Sequence, residues 1–176
     1  PDYALVHKDR YEEFISKLKD TVIKYYGETE EDRKKSPHYA RIINARNHER
    51  LSQLIKQTEE KGAKIEIGGI ADESEQYLSP TLLSNVSLDS PIMQEEIFGP
   101  VLPVIKVESL QEAVSIVQKT EKPLALYIFS TNSRHVNMVL SETTSGGACV
   151  NETLIHFLHP NLPFGGVNFS GSGNSH

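Results

Sequence analysis

Tyr11, Phe14, Ile15, Leu18, Val22, Tyr25 and Tyr26 recur at helical spacing, and Gly27 follows them as a C-terminal stop. They predict an amphipathic first helix. A second helix runs from about Asn47, turns Leu51, Leu54 and Ile55 inward, and ends at Gly62. Lys64-Ile65-Glu66-Ile67 alternates as a short strand does, and Gly68-Gly69 breaks it. A mixed turn region leads to Ser79-Pro80 and a strand over Thr81–Val86. Val101–Val107 is mostly apolar and is a further strand, with Pro103 expected to place it at an edge or in an irregular position.

The same alternation continues downstream. Ser109-Leu110-Gln111-Glu112 has the form of a capping box and opens a helix bearing Leu110, Ala113, Val114 and Val117. Leu124–Phe129 is a continuous apolar run, expected to be a central strand buried on both faces. Asn132 caps a helix carrying Val136, Val139 and Leu140, and Ala148-Cys149-Val150 is a short strand beyond it. From His156 onward Pro, Gly, Asn and Ser dominate and predict loop. The pattern implies an α/β fold: three layers, with an open, largely parallel sheet and flanking helices.

Composition narrows the partners. At 176 residues the chain is long enough to bury a proper core, and it is expected to form one domain. A net charge of −6 argues against nucleic acid, whose phosphates need a basic surface. The one local cationic cluster, Arg33-Lys34-Lys35, directly follows acidic Glu28–Asp32, and this mixed-sign stretch is expected to be a solvated turn. No apolar run approaches a membrane span and no signal-peptide pattern opens the chain. A single cysteine makes no internal disulfide and no metal cluster, so the expected setting is the cytoplasm, with no metal. Cys149 lies in the small-residue run Ser145–Asn151, the ordinary place for an inert buried thiol rather than a nucleophile.

Candidate chemistry concentrates in Pro91–Val104. Glu95-Glu96 runs into Ile97-Phe98, a Gly99-Pro100 turn and then the apolar strand. Loops held by buried strands are where ligands bind in α/β proteins. A carboxylate there can accept hydrogen bonds from a vicinal diol such as a ribose, and a phenyl ring can pack against a flat heterocycle. The plain alternative is a solvent-facing Glu-Glu pair with Phe98 as a packing anchor.

Gln94-Glu95-Glu96-Ile97-Phe98-Gly99-Pro100-Val101 resembles the glutamate–phenylalanine motif of NAD(P)-dependent aldehyde dehydrogenases. Far downstream, Asn151–Val167 is similar to the class 3 branch of that family, with an Asn-acidic pair, His156 five residues after Asn151, and Leu162-Pro163-Phe164-Gly165-Gly166-Val167. The opening Pro1-Asp2-Tyr3 resembles the stretch that follows the nucleophilic cysteine in class 3 enzymes. The matches stand in family order and cover essentially the whole chain.

The resemblance implies roles residue by residue. Glu96 would accept hydrogen bonds from the nicotinamide ribose, with Phe98 beside the nicotinamide ring; Glu95 would face solvent or pair with a nearby cation. The segment Ile42–Leu51 would approach the cofactor, NAD or NADP, with Asn47 and Arg50 on one helical face; an N-cap asparagine and a surface arginine are the equally weighted alternatives. Phe164 would line the aldehyde tunnel, with His156, Phe157 and His159 on its approach and Asn151 bracing the loop. One departure stands out: many class 3 enzymes carry Gly-Gly-Val-Gly-Asn-Ser-Gly where this chain has Gly165-Gly166-Val167-Asn168-Phe169-Ser170-Gly171.

By the same resemblance the nucleophile would lie just before Pro1, with the general base, the oxyanion-hole asparagine and most of the dinucleotide-binding fold further upstream. The chain is then expected to be a catalytic, substrate-side domain truncated at both ends, inactive alone, from a parent that oxidises an aldehyde to a carboxylic acid and forms a homo-oligomer, a dimer. A non-catalytic module or half of a split enzyme is one alternative. A small α/β ligand-binding domain is another.

Overall fold

In the computed structural model, residues 1–159 and 161–173 are described, and they fall into two compact units, Pro1–Glu108 and the part from Ser109 onward. In the first unit, β1 (Ala4–His7) leads into α1 (Lys8–Tyr26), which ends as expected at Gly27, whose N–H donates to the Ile23 carbonyl. The stretch expected to be a solvated turn is instead a short helix, α2 (Glu30–Lys35). Thr29 and Asp32 form a capping box, and acidic residues in the first turn with basic ones in the last oppose the helix dipole favourably. With no apolar stripe, nothing in its periodicity marks this helix; Arg33 is buried on it, and its Nη1 donates to the Gly27 and Glu28 carbonyls.

Helix α3 (Ala45–Glu60) follows, capped by Asn44 rather than Asn47. Asn44 Oδ1 accepts from the Asn47 backbone N–H at 2.9 Å. Then come β2 (Lys64–Ile67), the small antiparallel pair β3 (Ala71–Asp72) and β4 (Tyr77–Leu78), β5 (Thr81–Ser84) and β6 (Val101–Val107). A hydrogen bond from Lys34 and another from Ser74 hold the Asp72 carboxyl well below the usual carboxylate range.

The main sheet has four strands in the order β1-β6-β5-β2, with β1–β6 and β5–β6 parallel and β2–β5 antiparallel. Strand alternation then sorts side chains into two layers. Leu82 and Val104 join Val6, Tyr11 and Ile15 under α1. Leu83, Val101 and Ile105 join Leu51 and Ile55 of α3, together with Ile92 and Ile97. The unit is therefore a helix–sheet–helix sandwich, α/β as the pattern implied.

Pro103 does not put β6 at an edge. The strand is interior and Pro103 is fully buried. It closes the ladder with β5, opposite Leu83, one residue before the ladder with β1 begins at Val104. A proline lacks the N–H that a ladder needs, and this handover between partners is a position where the loss is tolerated.

The second unit contains α4 (Leu110–Lys119), β7 (Ala125–Ile128), α5 (Ser133–Glu142) and β8 (Gly147–Val150). The expected caps are present: Ser109 accepts from the Glu112 N–H and Asn132 from the Arg134 N–H. The run Leu124–Phe129 departs from expectation. It is a strand, but among the described residues β7 pairs only with β8, in a two-stranded parallel sheet. Leu124 is 37% and Phe129 67% exposed, and Ile128 alone of β7 is buried, against Val114 and Val139. An unbroken apolar run cannot tell a strand covered on both faces from one covered on one. The interior places in the larger sheet belong to β6 and β5. The loop after β8 contains two short 3₁₀ turns, Ile155–Leu158 and Asn168–Ser170; Pro160 and 174–176 lie outside the described residues.

Candidate functional site

The loop between Pro91 and Pro100 is fixed around one residue. The Ile97 side chain is 1% exposed and sits in the core beneath α3. Its carbonyl accepts from Arg50 Nη2 at 2.6 Å, and its N–H donates to Asp2 Oδ1 at 3.1 Å. Arg50 reaches the same loop a second time, through Nη1 to Glu95 Oε1 at 2.9 Å. Gly99 then passes so close to α3 that a Cβ there would lie 2.6 Å from both methyl groups of buried Leu51, so any larger residue would have to displace that side chain.

With Ile97 held inward, its neighbours point out. Phe98 is 80% exposed and adopts a left-handed backbone, φ 46°, which a bulky residue takes only where the surroundings impose it. Glu96 is exposed, and its carboxylate has no hydrogen-bond or ion-pair partner among the described residues. An unengaged carboxylate and an uncovered phenyl ring are thus presented on a backbone held by two charged side chains. Chemically this suits a diol beside a flat ring, the carboxylate accepting and the phenyl face packing.

Asn47 and Arg50 share the α3 face near this loop, as their spacing required, but both are engaged. Asn47 Nδ2 donates to Asn44 Oδ1 at 3.1 Å, and Arg50 holds Glu95 and Ile97. Glu95 is accordingly the partner of a cation, as expected of the first glutamate.

In the second unit, β8 feeds a loop built from rings. The His156 ring packs edge-on to Tyr127 and tilted to Phe164, each with centroids 5.9 Å apart, and Phe157 meets Phe164 at 5.8 Å. Both His156 ring nitrogens are buried without a hydrogen-bond partner among the described residues. Gly147 makes room for this ring, since a Cβ there would lie 2.8 Å from His156 Cδ2. Asn151, at φ 58°, braces the end of β7: its Oδ1 accepts from the Ser130 N–H at 2.8 Å and its Nδ2 donates to the Ser130 carbonyl at 3.1 Å. Cys149 is buried on β8.

Residues 2–176 match the aldehyde dehydrogenase family. The chain belongs to that family. It is 45% identical, over its full length, to aldehyde dehydrogenase family 3 member A2 of Rattus norvegicus, and covers 35% of that protein. It is 43% identical to the dimeric NADP-preferring aldehyde dehydrogenase of Bos taurus, again over its full length, covering 70% of that sequence. Among solved structures it is similar to the substrate-bound state of Staphylococcus aureus AldH, with a TM-score of 0.92 and 43% identity, covering all of this chain and 37% of that one. The chain therefore spans about a third of the length of the rat relative and the staphylococcal structure.

The structure thus ties the loop that carries Glu95, Glu96 and Phe98 to Arg50 of α3, leaves Asn47 bonded to Asn44 one turn earlier on that helix, and brings His156, Phe157 and Phe164 together in the second unit. Two contributors were not foreseen. Tyr127, on β7, is part of the ring cluster, and its place in an apolar run gave no hint of this. Asp2 reaches Ile97 across 95 positions. Its tripeptide carried a family resemblance, but neither periodicity nor spacing could place its carboxylate on a distant amide.

Proposed function

We propose that this chain is the positional part of an NAD(P)-dependent aldehyde dehydrogenase, in which a cysteine thiolate contributed from outside these residues attacks the aldehyde carbonyl. The observation that carries the reading is the Glu96–Phe98 pair, presented free on a pinned loop, one residue bearing an acceptor and the other a ring. Glu96 accepts hydrogen bonds from the nicotinamide ribose, and Phe98 packs beside the nicotinamide, limiting its rotation. The nicotinamide, when bound, accepts the hydride. Arg50 and Asn47 form the cofactor-side face of α3, with Arg50 acting largely by holding Glu95 and Ile97 in place. Phe164 and His156 line the aldehyde approach.

Positioning of this kind is worth several orders of magnitude in rate, because reacting groups held in register need no further ordering. On this reading the chain alone turns over no aldehyde, and Cys149, buried on β8, is not its nucleophile. The full enzyme is a cytoplasmic homo-oligomer, a dimer, using NAD or NADP. The experiment is to assay the full-length protein and the 176-residue chain with a panel of aldehydes and both dinucleotides, following reduced dinucleotide and carboxylate product. Turnover by the full-length protein alone is expected. Turnover by the 176-residue chain that Cys149→Ser abolishes would refute the reading.

A further inference from the structure

Ile97 offers its two backbone polar groups to two charged side chains from different parts of the fold. Arg50, on α3, takes the carbonyl, and Asp2, just before β1, takes the N–H. The Asp2 contact lies on a part-buried amide for which no other acceptor is present among the described residues. Two residues beyond Asp2, Ala4 is registered with Val104 of β6, and the loop itself runs into β6 at Val101. Asp2 and the loop are therefore anchored by the same β1–β6 ladder, and the hydrogen bond spans the short interval between them. Its strategic value comes from the strain next to it. Phe98 holds a left-handed backbone, which persists only while the flanking peptides are over-determined.

We propose that Asp2 is a positioning residue for dinucleotide binding: its carboxylate latches the Ile97 amide so that Glu96 and Phe98 keep the orientation in which they meet ribose and ring. This rests on the function proposed above. In this role Asp2 acts through the Ile97 peptide, to which its carboxylate is bonded, rather than on the cofactor itself. A side chain that still accepts a hydrogen bond at this position should therefore suffice, whereas one that cannot leaves the part-buried N–H without a partner.

The test uses full-length enzyme carrying Asp2→Ala or Asp2→Asn, with melting temperatures recorded for each. Asp2→Ala should raise KM for the dinucleotide about tenfold and slow single-turnover hydride transfer by a similar factor, the scale of one lost hydrogen bond to a charged group. KM for the aldehyde should not move. Asp2→Asn should restore both quantities to within about threefold, because its amide oxygen still accepts. Amide hydrogen exchange on the unmodified protein gives a second readout that needs no variant: Ile97 should be protected relative to an unstructured amide. The latch is overturned by a wild-type dinucleotide KM in Asp2→Ala, by Asp2→Asn being as impaired as Asp2→Ala, or by an Ile97 amide that exchanges freely. If the wild-type enzyme oxidises no aldehyde with either dinucleotide, the functional reading falls instead, and Ile97 exchange still decides the latch.

Discussion

The Glu95–Phe98 loop and the His156–Phe164 loop achieve order by different physics. The first is held through its backbone: a buried Ile97, hydrogen bonds from Arg50 and to Asp2, and a glycine against Leu51. Glu95 is tied to Arg50, while the Glu96 and Phe98 side chains are left uncommitted. The second is held through its side chains, with His156 wedged among Tyr127, Phe164 and the Gly147 backbone and its ring nitrogens unsatisfied. A loop fixed by its main chain can present side chains to a ligand without reorganising. A loop fixed by its side chains shapes a wall, and a change in any ring moves the whole. The contrast fits the proposed division of labour, the first loop for a polar cofactor and the second for an apolar approach.

Substitutions should separate the two modes. The largest effect is expected for Ile97→Ala, which empties a fully buried site and should cost about 2–4 kcal/mol by urea or thermal unfolding. Gly147→Ala forces a methyl toward the His156 ring and should cost about 1–3 kcal/mol, the usual penalty of overpacking. A shift of the Tyr127 and Phe164 ring resonances should accompany that loss; a Gly147→Ala protein as stable as wild type would mean the ring cluster yields freely and is no wall.

Phe98→Gly should behave in the opposite sense. The ring is mostly exposed and its backbone is left-handed, so replacement by glycine removes strain and should leave stability unchanged or raise it by at most about 1 kcal/mol. Dinucleotide affinity should nonetheless fall by about 1 kcal/mol through the lost ring contact, read by calorimetric titration of the full-length protein. A parallel loss of stability and affinity would mean that Phe98 is a packing residue.

Much of this was legible in the sequence, for identifiable reasons. The helices α1, α3, α4 and α5 follow from periodicity and caps, and β6 from an apolar run matching its observed bounds, Val101–Val107. Sheet membership was not legible. Leu124–Phe129 has the composition of a central strand yet lies in a two-stranded sheet, while β6 is interior despite Pro103. Both outcomes depend on which strands stand on either side, information that no single segment carries. Helix α2 was hidden because it carries no apolar stripe: two ion pairs lie along it, Glu30–Arg33 and Glu31–Lys35, while Lys34 reaches out to Asp72 and Glu75. At the site, the motif located Glu96 and Phe98, but what holds them in place, Asp2 and the double reach of Arg50, depends on contacts between distant positions.

On the function proposed above, Glu96, and not its neighbour, grips the cofactor. Both Glu96→Gln and Glu95→Gln remove one negative charge from the same loop, so their comparison cancels any general electrostatic effect. Single-turnover formation of reduced dinucleotide in the full-length enzyme, measured beside the melting temperature, is the decisive quantity. Glu96→Gln should weaken the ribose contact by about 1–3 kcal/mol and slow hydride transfer more than aldehyde binding, with the melting temperature unchanged. Glu95→Gln, which only loosens a partly exposed pair with Arg50, should do much less. Equal loss in both variants, or a Glu96→Gln effect confined to stability, would mean that Glu96 is no ribose clamp and the motif is structural.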